Sequence, residues 1–215
     1  ILFTIGLVFY PLTASILKKF NDKGWLFSKI IGISISSWLI WLLSYLKILP
    51  YTKLNCYIFI ILFALINYGI FLKFNIKKLK EHLNLKFIKN ILISELIFII
   101  CLSFWTYIKG FSPEIDYYTE DFMDYGYMNS LMNSKYMPTE DIWFSGNKIN
   151  YYYFGQYISG YICNISGITA SQGYNLIIAL IAALTFVLPC SIGYNLFKDK
   201  FNSKNSKAKI IIPII

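Results

Sequence analysis

Residues 25–46 read WLFSKIIGISISSWLIWLLSYL, and this run most limits the folds open to the chain. At 1.5 Å per residue, a helix of that length covers the roughly 30 Å of hydrocarbon in a bilayer. Trp25 and Tyr45 at its ends suit the interfacial aromatic belt. Comparable runs recur at 1–17, 56–72, 91–108 and 174–197, the last with Pro189 as an expected kink. Backbone groups surrounded by lipid must find partners within their own segment, so each run is predicted as a helix. Composition agrees: 57% of residues are hydrophobic and 14% charged, with a mean hydropathy of +0.55. The expected fold class is all-α, a polytopic transmembrane helical bundle.

The net charge of +9 does not point to nucleic acid. The lysines lie in short runs between apolar segments, where topology determinants belong, so the expected partner is membrane lipid and not nucleic acid. Counting them places the loops near 18–29, 73–90 and 198–209 in the cytoplasm and residues 47–55 and 109–173 outside, in a multi-pass protein of the cell membrane. Between Lys109 and Asn150, the seven acids Glu114, Asp116, Glu120, Asp121, Asp124, Glu140 and Asp141 face three bases, Lys109, Lys135 and Lys148. The basic stretch 73–90 carries Leu79, Leu83 and Phe87 at four-residue spacing and is expected to lie as an amphipathic helix on an anionic surface. With both flanks outside, residues 151–166 cannot cross. They are predicted as an interfacial helix whose apolar stripe is Phe154, Ile158, Ile162 and Ile165.

Three regions follow: spans with basic loops over 1–108, a large external loop with interfacial helices over 109–173, and a span, a basic loop and the start of a further helix over 174–215. Because it opens at Ile1 inside an apolar run and closes on IIIPII, the sequence is expected to be a piece of a longer protein. Cys56, Cys101, Cys163 and Cys190 form no metal-binding spacing and read as packing residues. A disulfide between Cys56 and Cys163 is conceivable, since both fall near the expected outer face. His82, set among lysines, reads as a solvated side chain. Glu95 is a carboxylate inside a span and so a functional candidate, although about one turn from the end it also reaches interfacial water.

The chemistry concentrates in residues 116–157, DYYTEDFMDYGYMNSLMNSKYMPTEDIWFSGNKINYYYFGQY. Thr119 followed by Glu120 and Asp121 reads as a helix start, the helix running to about Lys135. Asp121 and Asp124 share one face of it. Asp121 is explained by the helix dipole, Asp124 less so. Glu140 and Asp141 form a second acidic pair ahead of the polar turn SGNKIN, which carries Lys148 and Asn150. Rings beside carboxylates and amides, as at Tyr151, Tyr152, Tyr153 and Gln156, serve a sugar site and also a membrane interface, and composition alone favours interface anchoring for the tyrosines.

The run PEI at 113–115, the pair Met123-Asp124, YMNSLMNSKYMPTEDIWFSGNKINYYYFGQYISG and the following YNLIIALIAALTF resemble the "YYY" family of polytopic membrane proteins, named for a Tyr-Tyr-Tyr motif and of unknown function. The likeness covers residues 113–186. It departs at Ile142, where the family usually has Pro, and in lacking an Arg often present in the preceding helix. The family is in turn distantly similar to GT-C glycosyltransferases, multi-span enzymes that use polyprenyl-phosphate sugars and place an acidic residue in their first large external loop. The resemblance implies a GT-C-like bundle and a polyprenyl-phosphate sugar donor, with Asp124 as general base and Glu114 next. It further implies substrate contacts from Asp121, Asp141, Asn150, Tyr151, Tyr152, Tyr153, Gln156 and Lys148. Asp121 and Asp141, with Glu114, are the residues for a divalent cation, Mg or Mn. The competing classes are a transporter or flippase of a polar or lipid-linked substrate, and a non-catalytic membrane scaffold.

Overall fold

The computed structural model describes residues 1–75, 85–115 and 120–201. Leu79, Leu83, His82, Asp116, Thr119 and the basic stretch beyond residue 201 lie outside the described residues. Seven α-helices are present among them: α1 Leu2–Ile16, α2 Trp25–Tyr45, α3 Lys53–Asn75, α4 Leu85–Lys109, α5 Glu120–Asn133, α6 Phe154–Ser166 and α7 Ala170–Phe201. The only β feature among the described residues is an isolated bridge between Glu140 and Lys148.

Among the described residues four helices are long and apolar enough to cross a membrane, over Trp25–Tyr45, Lys53–Ile70, Phe87–Lys109 and Ala170–Lys198. The 15 residues of α1 span only about 22 Å at 1.5 Å per residue. α3 and α4 are longer than the apolar runs that announced them. Residues 73–75 and 85–90, expected in a surface helix, continue these two helices instead. Phe87 accordingly sits in α4 with Lys23 Nζ 5.0 Å from its ring centre. Much of α4 faces outward, with Leu96 57% and Ile100 58% exposed, as expected of a helix whose solvent is lipid.

Packing of α1 on α2 depends on a missing side chain. A Cβ at Gly32 would stand 2.5 Å from Ile5 Cγ2 and 2.7 Å from Phe9 Cδ2, and small residues are what allow helices to approach this closely. Gly32→Ala is therefore expected to lower the unfolding free energy by about 1–3 kcal/mol through overpacking, readable as a lower melting temperature in detergent. Between the two helices, Gly24 takes φ 78°. There the Asp22 carboxylate accepts the backbone N–H of Gly24 at 3.0 Å and of Leu26 at 3.4 Å, satisfying donors that the start of α2 leaves open.

The thirteen residues of α6 cover about 20 Å, too short to cross. Its buried face differs from the expected stripe. Ile162 and Ile165 are buried, but Phe154 is exposed, and the face is centred on Tyr157 and Tyr161, both fully buried. The reason lies on α2: Tyr157 Oη donates to the Ser37 carbonyl at 2.9 Å, and Tyr161 Oη stands 2.9 Å from Ser36 Oγ. A buried phenol with a hydroxyl partner is as good a core residue as Phe. Tyr57 Oη donates to the Ile165 carbonyl at 2.7 Å, and Asn164 Nδ2 donates to Tyr51 Oη at 2.8 Å, so α6 is fastened to α3 and to the loop before it. The connection from α5 to α6 rests on the same end of the bundle, where Tyr51 N donates to the Lys135 carbonyl at 2.8 Å and Met137 N to Ser44 Oγ at 3.1 Å. All four cysteines are free, with Cys56 and Cys163 buried.

Candidate functional site

The first two turns of α5 carry Asp121 and Asp124, and two other helices hold them. Asp124 Oδ1 accepts from Gln156 Nε2 on α6 at 2.8 Å. Asp121 Oδ1 accepts from Tyr174 Oη on α7 at 2.9 Å. Their shared face of α5 thus becomes a junction of three helices, closed on one side by the edge-on pair Tyr125 and Tyr174, ring centres 6.1 Å apart. Glu114 is exposed. The carbonyl before it, of Pro113, accepts from Asn175 Nδ2 at 2.8 Å, which ties the 113–115 segment to the start of α7 beside Tyr174. Asn175 Oδ1 is buried without a hydrogen-bond partner among the described residues. Gln156→Leu is expected to cost about 1–3 kcal/mol of stability, the range for removing one partner of a hydrogen bond to a carboxyl group, as measured by thermal unfolding.

The other expected residues divide between this junction and a separate hairpin. Ile149 N donates to the Thr139 carbonyl at 3.1 Å and Asp141 N to the Asn147 carbonyl at 2.8 Å. Asp141 Oδ1 accepts the backbone N–H of Trp143 at 2.7 Å and of Phe144 at 3.1 Å, so this carboxylate shapes the turn. Lys148 stands 3.9 Å from Glu140 with both side chains exposed, a pair worth little. Asn150 is exposed.

The tyrosine triplet splits. Tyr151 and Tyr152 are exposed, ring centres 3.9 Å apart, while half-buried Tyr153 accepts from Trp41 Nε1 on α2 at 3.1 Å. A hydrogen bond with Tyr152 pushes the Tyr151 phenol up to about 12, and burial raises Tyr127, Tyr153 and Tyr157 above the usual phenol range. These phenols stay neutral at physiological pH. None is a proton acceptor there. Among the described residues no group of three or more His, Cys, Asp or Glu side chains could hold a metal ion. Asp121 and Asp141 belong to no such group among the described residues.

Tyr174 and Asn175 escape sequence reading because each opens an apolar span and looks like an interfacial anchor. Lys29 falls in the stretch 18–29 counted as a cytoplasmic loop, yet it is a buried residue of α2. It lies 1% exposed, its Nζ donating to Glu95 Oε2 at 2.6 Å, with the Glu95 side chain 14% exposed. Trp25 Nε1 donates to the same oxygen at 2.7 Å, and the Trp25 and Phe98 rings lie 4.7 and 5.1 Å from the ammonium. Glu95 is thus a paired interior group rather than one reaching for water.

A helical bundle with four apolar spans and a polar, aromatic region gathered at one end is a polytopic helical membrane protein. Residues 35–213 match the family described as "Uncharacterized membrane protein (DUF2298)", and the chain belongs to that family. The match extends well beyond residues 113–186, whose motifs carried the resemblance seen in the sequence. No curated protein and no solved structure matches the chain.

Proposed function

We propose that the protein is a membrane glycosyltransferase that moves a sugar from a polyprenyl-phosphate donor to an acceptor at the outer face, with residues 109–173 external and the lysine-rich loops cytoplasmic. The observation that carries this reading is the junction of α5, α6 and α7, where Asp124 and Asp121 are held one turn apart by Gln156 and Tyr174. Rings that suit the apolar face of a sugar lie nearby on the same loop, Tyr151 against Tyr127 at 6.1 Å and Phe122 against Trp143 at 6.0 Å. The distant likeness to GT-C enzymes supports the same assignment.

Asp124 is the general base: it takes the proton of the acceptor hydroxyl as the new bond from that oxygen to the sugar's anomeric carbon forms. The bond from that carbon to the phosphate oxygen breaks, and polyprenyl phosphate leaves. Gln156 holds the Asp124 carboxyl on one side, aiming its other oxygen, and Glu114 is the second choice for the base. Asn150, Tyr151, Tyr152 and Tyr153 belong to the sugar side, and Lys148 supplies charge for the phosphate. The test is incorporation of label from a panel of polyprenyl-phosphate sugars by the full-length protein in native membranes. Transfer from one donor supports the reading, and no transfer from any donor to a folded protein overturns it.

A second reading has its own observation. The Lys29–Glu95 pair inside the spans is the kind of interior charge that transporters use, and it favours a flippase of a lipid-linked substrate should no transfer be found.

A further inference from the structure

The bundle carries a second polar region, at the other end of its spans. Tyr174 and Asn195 both lie on α7, about 31 Å apart at 1.5 Å per residue, which is the thickness of a hydrocarbon core. Around Asn195 the loop between α1 and α2 is bound by side-chain amides from two helices. Asn21 N donates to Asn195 Oδ1 at 2.8 Å, Asn90 Nδ2 of α4 donates to the Asn21 carbonyl at 3.3 Å, and Lys198 Nζ donates to Asn21 Oδ1.

Beside this network, between α4, α7 and the α1–α2 loop, is a cavity of about 340 Å³. Its wall changes character with depth. Asn90, Ser94, Ser191 and Asn195 line the polar end, while Ile97 and Phe186 line the far end, about 10 Å and 14 Å further into the membrane along α4 and α7. Phe186 and Ile97 are themselves substantially exposed on the outer surface, so the far end borders lipid.

We infer that this cavity is a binding site for an anionic phospholipid of the surrounding bilayer, with the phosphate at Lys198 and the side-chain amides and an acyl chain running inward past Ile97 and Phe186. The depth profile calls for an amphiphile. Water would be unpartnered at the apolar end, and a purely apolar molecule would offer the polar end nothing to bond. The sign of the charge follows from what each group already does. Asp22 lines the cavity but, 3% exposed, has its oxygens on the backbone N–H groups of Gly24 and Leu26, whereas Lys198, beside the cavity through the lining residue Asn21, donates to a neutral amide and pairs with no carboxylate among the described residues, so its ammonium is available to a phosphate. The site is distinct from the Asp124 junction and rests on none of the chemistry proposed there.

The test is native mass spectrometry of the full chain released from nanodiscs containing phosphatidylglycerol and phosphatidylcholine in equal amounts. The wild type should retain one phosphatidylglycerol, at least tenfold in preference to phosphatidylcholine. Lys198→Gln should cut that preference at least fivefold. Ser94→Phe, which fills the cavity, should abolish retention of either lipid. Melting temperatures of both variants are measured alongside, and should Ser94→Phe unfold, the Lys198→Gln result alone decides. Equal retention of the two lipids, or retention unchanged in the folded variants, overturns the inference. So does displacement of the lipid by soluble glycerol 1-phosphate, which would make the ligand a free phosphate.

Discussion

Asp124→Asn is expected to lower sugar transfer at least about a hundredfold, the usual scale for loss of a general base, while leaving the fold in place. The substitution keeps the shape of the side chain, and its amide oxygen still accepts from Gln156 Nε2, so the 2.8 Å tie between α5 and α6 survives. What disappears is the capacity to take a proton. The loss belongs in the catalytic step, with donor affinity little changed, because the base acts on the acceptor hydroxyl and not on the lipid phosphate. Tyr174→Phe supplies the contrast. It removes the hydroxyl that holds Asp121 and should weaken packing without a hundredfold loss of transfer. Radiolabel incorporation with both variants at matched membrane levels measures the difference. Full activity in Asp124→Asn would move the base to Glu114, and full activity with both carboxylates replaced would end the assignment of the base to either of them.

Lys29→Met is expected to lower the unfolding free energy by about 3–5 kcal/mol, because it strands Glu95 as an uncompensated interior charge. Glu95→Leu should cost about as much from the other side, leaving the 1% exposed ammonium of Lys29 without its carboxylate acceptor beside the Trp25 and Phe98 rings. The double variant Lys29→Met/Glu95→Leu should regain most of the loss, since apolar replacement of both members of a buried pair is often neutral or better. Thermal unfolding in nanodiscs checks all three, and a double variant no better than either single one would show that the pair is not coupled. The set also separates the two functional readings. A folded double variant that still transfers sugar leaves the pair a structural clasp between α2 and α4, whereas one that keeps its stability but stops the movement of a lipid-linked substrate favours a flippase.

Local chemistry determined much of this protein directly. Lipid leaves a backbone no partner except itself, so apolar runs of about twenty residues had to become helices, and those at 25–46, 56–72, 91–108 and 174–197 did, with their ends displaced by a few residues. The acidic helix after residue 119 and the short helix after the tyrosine triplet were legible for the same reason: each depends on neighbours within one or two turns. What faces what was decided only by the tertiary structure. A tyrosine looks alike in sequence whether it anchors a helix at a lipid headgroup or closes a core, and Tyr157 and Tyr161 are core residues because Ser36 and Ser37 stand opposite. Lys29 and Glu95, 66 residues apart, become partners only once α2 and α4 are side by side. Asp124 and Asp121 had the right spacing from the start, but the amide of Gln156 and the hydroxyl of Tyr174 that hold them come from two other helices, and Asp141 is drawn away by its own turn. Hydrogen-bond partners distant along the chain depend on the packing of helices, and no period within a single helix carries that information.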